Sequence, residues 1–186
     1  GYWTDHWTYN TDLLEGFYAL FPDRFKDLLL KKNDFTYFDT HVFVKPRHER
    51  YCVQHGDVRQ HHSLVADEEK NALIQKRRGE KNKVRVNNGD GDVLKTTLID
   101  KLLCVLVNKL TSLDPSGAGV EMEADKPGWY DALNGLPGLL GSSVSETFEI
   151  KRLILFLKKT MTEAHVSGDQ PIRLVFEVHD FVTKVT

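Results

Sequence analysis

The sequence predicts a mainly helical fold in which long irregular segments interrupt the helices. Four stretches carry apolar residues at the 3.6-residue spacing of an amphipathic helix. That spacing is absent from residues 34–65 and 114–142, so loops are expected there, extended in 34–65 and compatible with a short β-hairpin in that range. The 186 residues, 40% of them apolar and 28% charged, suit one globular domain with a sizeable core.

Local signals define the elements of the first half of the chain. Residues 9–31 carry leucine and phenylalanine at helical spacing, and Pro22 divides them into two helices or one kinked helix. Residues 34–65 are rich in β-prone side chains, and His55-Gly56-Asp57 is typical of a turn. Residues 67–78 are acidic first and basic last, which favours a helix through its dipole.

The second half alternates turns and helices. Its expected elements are a turn at 87–91, a helix at 93–112, a loop at 114–142, a helix at 144–162 and a final helix after Pro171. Ser143 and Glu146 have the spacing of a capping box that opens the helix at 144.

Composition excludes several classes of function. The net charge of −2 gives no general attraction to polyanions, and the basic stretch at 76–83 lacks interleaved aromatics, so no nucleic-acid partner is expected. No apolar run approaches the length of a membrane span, so no membrane partner is expected. Cys52 and Cys104 are far apart, and Cys104 lies in a helical apolar run, which indicates reduced thiols and a cytoplasmic protein.

Apparent metal and cofactor motifs fail on individual residues. Leu94 replaces the second glycine that a phosphate-binding loop needs at 89–96. Val93 and Ile99 replace the glycine and the glutamate of a calcium loop. The eight histidines lack the spacing of a zinc site. The sequence therefore predicts neither a metal nor a bound cofactor.

The most informative segment is 126–146, a glycine- and proline-rich loop that leads into a helix. Asp131 lies between Tyr130 and Ala132, a setting apolar enough to raise a carboxyl pKa by desolvation. An acid that stays protonated near neutral pH can donate a proton to a leaving group. The alternative is an aromatic-anchored surface loop in which Asp131 only caps a turn.

Aromatic residues accompany acidic ones in two places. Tyr2, Trp3, Trp7 and Tyr9 surround Asp5 and His6, while Trp129 and Tyr130 flank Asp131 on one side. Aromatic faces stack on sugar rings and carboxylates bind hydroxyls, so this combination favours a carbohydrate pocket. The alternative for the N-terminal cluster is a buried aromatic start of a helix.

Three segments carry a family resemblance: Trp3-Thr-Asp-His-Trp-Thr-Tyr-Asn10, Lys126-Pro-Gly-Trp-Tyr-Asp-Ala-Leu-Asn134 and Gly141-Ser-Ser with Glu146. They resemble inverting glycoside phosphorylases of the cellobiose and β-glucan phosphorylase type. In that family a Gly-Asp-Trp-Asn-Asp-Gly-Met-Asn segment carries the general acid as its second aspartate, which Asp131 matches. The sequence departs at Tyr130 and Ala132, where the family has asparagine and glycine.

The resemblance implies phosphorolysis of β-glucosidic linkages with inversion, giving an α-sugar 1-phosphate. Asp131 would be the general acid, inorganic phosphate the co-substrate, and a β-glucan oligosaccharide or disaccharide the substrate. Asp5 would hold the sugar on the non-reducing side of the cleaved bond. The other substrate-binding candidates are His6, Trp129, Tyr130, Asn134 and Glu146. Arg47, Arg59 and Lys126 are candidate phosphate ligands on charge alone.

The resemblance also implies that residues 1–186 form part of a larger (α/α)6 barrel, completed by other segments of a parent chain, and it leaves a homodimer open. Two other functions stay open at this point. An inverting glycoside hydrolase would need a second carboxylate as base, and Glu121 or Glu123 precedes the Asp131 segment. The third hypothesis is a helical fragment that binds sugar without catalysing a reaction.

Overall fold

In the computed structural model, the described residues are 4–60, 63–114, 117, 119–121 and 142–185. They belong to two compact units. Unit 1 contains Thr36–Leu94 and Asp114–Ser143, and unit 2 contains Tyr2–Phe35, Lys95–Leu113 and Val144–Thr186. Each unit is built from segments that are distant in sequence, so each depends on long-range packing.

The described residues are mainly helical, as the sequence predicts. The α-helices are α1 (Thr4–Leu20), α2 (Pro22–Leu30), α3 (Arg47–Arg50), α4 (Glu68–Lys76), α5 (Leu98–Leu110), α6 (Val144–Glu163) and α7 (Phe176–Val185). The strands are all short: β1 (Phe35–Thr36), β2 (Val42–Val44), β3 (Tyr51–Gln54), β4 (Asp57–Gln60), β5 (Leu64–Ala66), β6 (Lys95–Thr96), β7 (Val120–Glu121) and β8 (Ser142–Ser143).

Pro22 separates the first two helices, which confirms the predicted break. Phe21 between them has φ −137° and ψ 56°, outside the helical region. Proline lacks the N–H that a continuing helix would need, whereas its fixed φ suits the first position of a new helix. The chain therefore ends α1 at Leu20 and restarts at Pro22.

Three aromatic rings form the centre of unit 2. Phe25 of α2 is fully buried, and its ring centroid lies 5.2 Å from Tyr18 of α1 and 5.5 Å from Phe156 of α6. Both contacts are edge-to-face, the arrangement that ring quadrupoles favour. The cluster holds α1, α2 and α6 together.

Arg152 adds a polar tie between α1 and α6. Its guanidinium lies 2.5 Å from the Asp12 carboxylate and 2.7 Å from that of Glu15. Its hydrogen bonds to Glu15, and to a smaller extent to Asp12, raise the pKa of Arg152 above its ordinary value. The aromatic cluster and these ion pairs of Arg152 therefore both connect α1 to α6.

The α5 helix begins later than its apolar periodicity predicts. The apolar spacing predicts a start at residue 93, but β6 occupies Lys95–Thr96 and the helix begins at Leu98. Asp100, in the first helical turn, accepts a 2.6 Å hydrogen bond from the Thr96 hydroxyl and a 2.9 Å bond from the Val175 N–H. For these contacts to form, Thr96 must lie in the segment before the helix. The spacing of apolar residues alone does not reveal this requirement.

The described part of unit 1 contains three short antiparallel strand pairs. Strand β2 pairs with β5, β3 with β4, and β7 with β8. In the β3–β4 hairpin, His55 and Gly56 have φ of 53° and 88°. Two successive left-handed residues match the twist of a tight hairpin. The predicted turn at residues 55–57 is therefore confirmed.

Helix α4 and a buried ion pair organise the rest of unit 1. The Asp67 carboxylate caps α4 by accepting from the Lys70 N–H at 2.9 Å. Beyond the helix, buried Arg77 donates to the Asp39 carboxylate at 2.7 Å and to the carbonyls of Lys81 and Lys83 at 3.0 and 3.2 Å. One guanidinium therefore connects three points of the chain.

The Asp39 carboxylate is held ionised by its partners. Burial by itself would raise its pKa, but hydrogen bonds from Lys70 and Arg77 and their positive charges outweigh burial and hold the pKa of Asp39 below its ordinary value. The Lys70 ammonium lies 2.9 Å from the second carboxylate oxygen. Asp39 is thus paired on both oxygens.

We predict that Asp39→Asn destabilises the fold by about 1–3 kcal/mol at neutral pH, because two charged donors lose their anionic partner. Since the folded-state pKa of Asp39 lies below that of an unfolded aspartate, its ion pairs stabilise the fold fully above about pH 4. That contribution is lost as the pH falls through the lowered folded value. Urea unfolding between pH 7 and pH 2 should therefore show the difference between wild type and variant shrinking below pH 4.

The matched control is Asp90→Asn, which removes an exposed carboxylate from the same unit. It should stay within about 0.5 kcal/mol of wild type throughout. A wild-type advantage over Asp39→Asn that keeps its full size at pH 2 would contradict the ion-pair explanation.

Candidate functional site

Strands β7 and β8 fix the two ends of the segment that carries Asp131. Val120 pairs with Ser143 and Glu121 with Ser142 in antiparallel register. Val120 and Ser143 are both buried in unit 1. Residues 122–141 therefore connect two positions that lie side by side on neighbouring strands. Asp131, Trp129, Tyr130, Asn134 and Glu123 fall in this segment and outside the described residues, so their assignments stay predictions.

Glu121, at the start of the segment, is the centre of a polar cluster. Its side chain is 8% exposed, and its Oε1 atom accepts from Arg47 Nη2 at 2.5 Å and from the Tyr51 hydroxyl at 2.8 Å. The Arg47 guanidinium also lies 5.6 Å from the centroid of the Tyr51 ring, a cation–π distance. We call these three residues the Glu121 cluster.

Local structure explains how Arg47 and Tyr51 reach the same carboxylate. Arg47 begins the single-turn helix α3, and Tyr51 begins strand β3 directly after it. One helical turn separates the two side chains, so they project in the same direction. Desolvation by itself would lower the pKa of Arg47. The hydrogen bond with Tyr51 and the negative charge of Glu121 outweigh desolvation, so the pKa lies above its ordinary value.

The Glu121 cluster changes the interpretation of Glu121. The sequence offers this residue as a base for a hydrolase, which must accept a proton from water. In the structure, a guanidinium and a phenol hydroxyl already donate to the same carboxylate oxygen. The arrangement favours an anchoring role in which Glu121 fixes β7 to α3 and β3.

Asp5 and His6 lie in the first turns of α1, in unit 2. The His6 side chain is exposed, and the Asp5 side chain lies outside the described residues. Trp7, the next aromatic residue, is buried, which matches the alternative of an aromatic helix start. The substrate-binding roles of Asp5 and His6 stay predictions.

Glu146 lies in the first turn of α6 and pairs with α5. Its carboxylate accepts from the Lys109 ammonium at 2.7 Å, and both side chains are largely buried. The helix opens at Val144, as the sequence predicts. The ion pair gives Glu146 a structural role between two helices, in addition to the substrate-binding role that the resemblance implies.

Unit 2 contains a pocket that sequence reasoning missed. Its volume is about 510 Å³, and its walls are mostly aliphatic and aromatic. The lining residues are Trp7, Asn10, Thr11, Leu13, Leu14, Phe17, Leu28, Phe35, Leu98, Lys101, Leu102, Val105 and Leu153. One sequence signal was available: Lys101 follows Leu98 by three residues and precedes Val105 by four, so a charged residue occupies the apolar face of α5.

No family model matches the chain, and comparisons with curated proteins and with solved structures find no match either. Within the described ranges, no group of three or more histidine, cysteine, aspartate or glutamate side chains is arranged to hold a metal ion. None of the described helices combines the length and the apolar character needed to cross a bilayer.

We predict that Arg47→Met destabilises the fold by about 1–3 kcal/mol, because the buried Glu121 carboxylate loses its cationic donor. The control is Arg78→Met, which removes an exposed arginine from the same unit and should change stability by less than about 0.5 kcal/mol. Urea-induced unfolding measures both. Equal stability of the two variants would show that the Glu121 cluster does not anchor β7.

Proposed function

We propose that the chain belongs to an inverting glycoside phosphorylase that acts on β-glucosidic linkages. The proposal depends on the likeness of residues 126–134 to the acid-bearing segment of that family. One structural observation supports it: residues 122–141, which include this segment, lie between the paired strands β7 and β8, and Glu121 of β7 is held in the Glu121 cluster.

In this proposal Asp131 is protonated and donates to the glycosidic oxygen as the bond to the anomeric carbon breaks. Inorganic phosphate attacks that carbon from the opposite face, so the product is an α-sugar 1-phosphate. Phosphate is already a nucleophile, so the reaction needs no second carboxylate to activate water. An inverting hydrolase would need one.

Arg47 is the candidate phosphate ligand that the described residues best support. Its side chain remains 41% exposed, while Glu121 holds its guanidinium beside the start of the Asp131 segment. A guanidinium presents several N–H donors in one plane and binds phosphate oxygens in pairs. Glu121 would then orient the phosphate ligand rather than act on water.

The sugar-binding roles follow from the resemblance. The residues that would bind the glucosyl units are Asp5, His6, Trp129, Tyr130, Asn134 and Glu146. The same proposal includes a parent chain whose other segments complete the barrel. It also includes a cytoplasmic location and assembly as a homodimer.

We predict that Asp131→Asn lowers phosphorolysis and the reverse synthesis of β-glucosides by about 10²–10⁴-fold. Asparagine has nearly the same shape but cannot exchange a proton with the glycosidic oxygen, so the loss should appear in kcat rather than in sugar affinity. The assay measures phosphate released from α-glucose 1-phosphate with glucose or cellobiose as acceptor, in the longest protein that contains this chain.

Asp169→Asn is the control, since it removes an exposed carboxylate from unit 2 and should leave the rate unchanged. Near-normal phosphorolysis by Asp131→Asn would overturn the assignment of the acid. Absence of phosphate-dependent activity in the wild-type protein on every β-glucoside tested would overturn the proposed function.

Glu123→Gln separates the phosphorylase from the hydrolase. A hydrolase that uses Glu123 as its base should lose a factor similar to that of the acid variant, and should release free sugar without added phosphate. A phosphorylase should keep most of its activity in this variant and release sugar 1-phosphate only when phosphate is present.

A further inference from the structure

The outer side of helix α6 carries a narrow line of exposed apolar residues. Val144, Phe148 and Leu155 are 61%, 64% and 55% exposed. At 3.6 residues per turn, separations of four and eleven residues place these side chains within about 40° of one another around the helix axis. The opposite side packs into unit 2 through buried Ile150 and Leu153. We call the three exposed residues the α6 stripe.

Lysines border the α6 stripe on both sides. By the same spacing, Lys151 and Lys158 lie on one side of it and Lys159 lies on the other, and all three are exposed. Ile154, which is also exposed, lies beyond Lys151 and Lys158, so two positive charges separate it from the stripe. An aligned apolar surface with a polar border is typical of an interaction site, whereas single exposed apolar residues are common on any protein.

The three acidic residues of α6 bond to other helices instead. Glu146 accepts from Lys109 of α5, while Glu149 and Glu163 accept from hydroxyl groups of α1. These carboxylates therefore lie on the sides of α6 that face its neighbours. The residues of α6 that border the stripe are consequently basic, and their charge is complementary to that of an acidic partner.

The width of the α6 stripe favours a helical partner over a bilayer. A helix that lies on a membrane buries a whole face, and such a face is about 100° wide or more. The seam between two paired helices is narrower. Phe148 and Leu155 are seven residues apart, which is the repeat of a seam between two helices.

We propose that the α6 stripe is a docking surface for an acidic amphipathic helix of a partner protein. The apolar face of that helix packs on Val144, Phe148 and Leu155. Its carboxylates lie on both sides of the seam, where Lys151, Lys158 and Lys159 can pair with them. The surface lies in unit 2 and does not depend on the proposed chemistry of Asp131.

Fluorescence anisotropy with two labelled peptides of about 21 residues, or three heptads, tests the proposal in the 186-residue chain. Both peptides carry leucine at the a and d positions, whereas the e and g positions hold glutamate in one peptide and lysine in the other. Like charges keep each peptide from pairing with itself. The chain should bind the glutamate peptide at least about tenfold more tightly than the lysine peptide, and added salt should reduce that difference.

Phe148→Ser and Phe176→Ser form a matched pair. Each variant removes an exposed phenylalanine of unit 2, but Phe176 opens α7 and does not belong to the α6 stripe. Phe148→Ser should weaken binding of the glutamate peptide at least about tenfold, because burial of an aromatic ring is lost. Phe176→Ser should bind this peptide as wild type does. Equal binding by the two variants would overturn the proposal.

Lys158→Glu and Lys32→Glu test the charge. Each variant reverses the charge of one exposed lysine of unit 2, and only Lys158 borders the α6 stripe. Lys158→Glu should weaken binding of the glutamate peptide about three- to tenfold and strengthen binding of the lysine peptide, because attraction and repulsion are exchanged. Lys32→Glu should change each affinity by less than about twofold. Equal effects of the two variants would contradict the charge complementarity.

Vesicles made of equal parts of phosphatidylserine and phosphatidylcholine test the alternative of a membrane surface. The wild-type chain should bind the glutamate peptide and leave these vesicles unbound. Failure to bind the glutamate peptide would overturn the proposal. Vesicle binding that Phe148→Ser abolishes, in a chain that does not bind the peptide, would assign the α6 stripe to an anionic membrane instead.

Discussion

Unit 2 depends on one carboxylate that is completely buried. Asp100 is 0% exposed, and it accepts hydrogen bonds from the Thr96 hydroxyl and the Val175 N–H. Burying a carboxylate is costly unless donors replace its water, so these donors must remain in place for the unit to fold. Asp100 thereby connects the start of α5 to the segment that enters α7.

The same constraint positions the pocket. Because Asp100 fixes the first turn of α5, it also fixes the direction in which Leu98, Lys101 and Leu102 face. The aromatic cluster around Phe25 holds α1 and α2, which supply the opposite wall. A change at Asp100 is therefore expected to alter the pocket, although Asp100 is not among its lining residues.

The elements that sequence predicted well carry their signals locally. Pro22 ends α1 through its missing N–H, His55 and Gly56 adopt the left-handed turn of the hairpin, and Asp67 caps α4. The start of α5 differs from the predicted one because Lys95 and Thr96 form β6, and Thr96 donates to Asp100, which also accepts from Val175, a residue distant in sequence. Contacts of that range leave no periodic trace in the chain.

The candidate site likewise combines features that the sequence reveals with features that only the fold reveals. Sequence identified the segment around Asp131 by composition, and it offered Glu121 as a base because the residue precedes that segment. Its partners Arg47 and Tyr51 are 74 and 70 residues away, so the anchoring role becomes visible only in the fold. Lys101 differs, because a lysine on the apolar face of α5 is visible in the sequence itself.

Amide hydrogen exchange in wild type and Asp100→Ala tests most directly whether this carboxylate holds unit 2 together. Loss of the buried acceptor should speed exchange of the Val175 amide and of the first turns of α5 and α7 by at least about tenfold, while α4 of unit 1 stays within about twofold. If the Val175 amide of the wild type exchanges as fast as an exposed amide, or if the variant leaves its rate unchanged, Asp100 does not have this role.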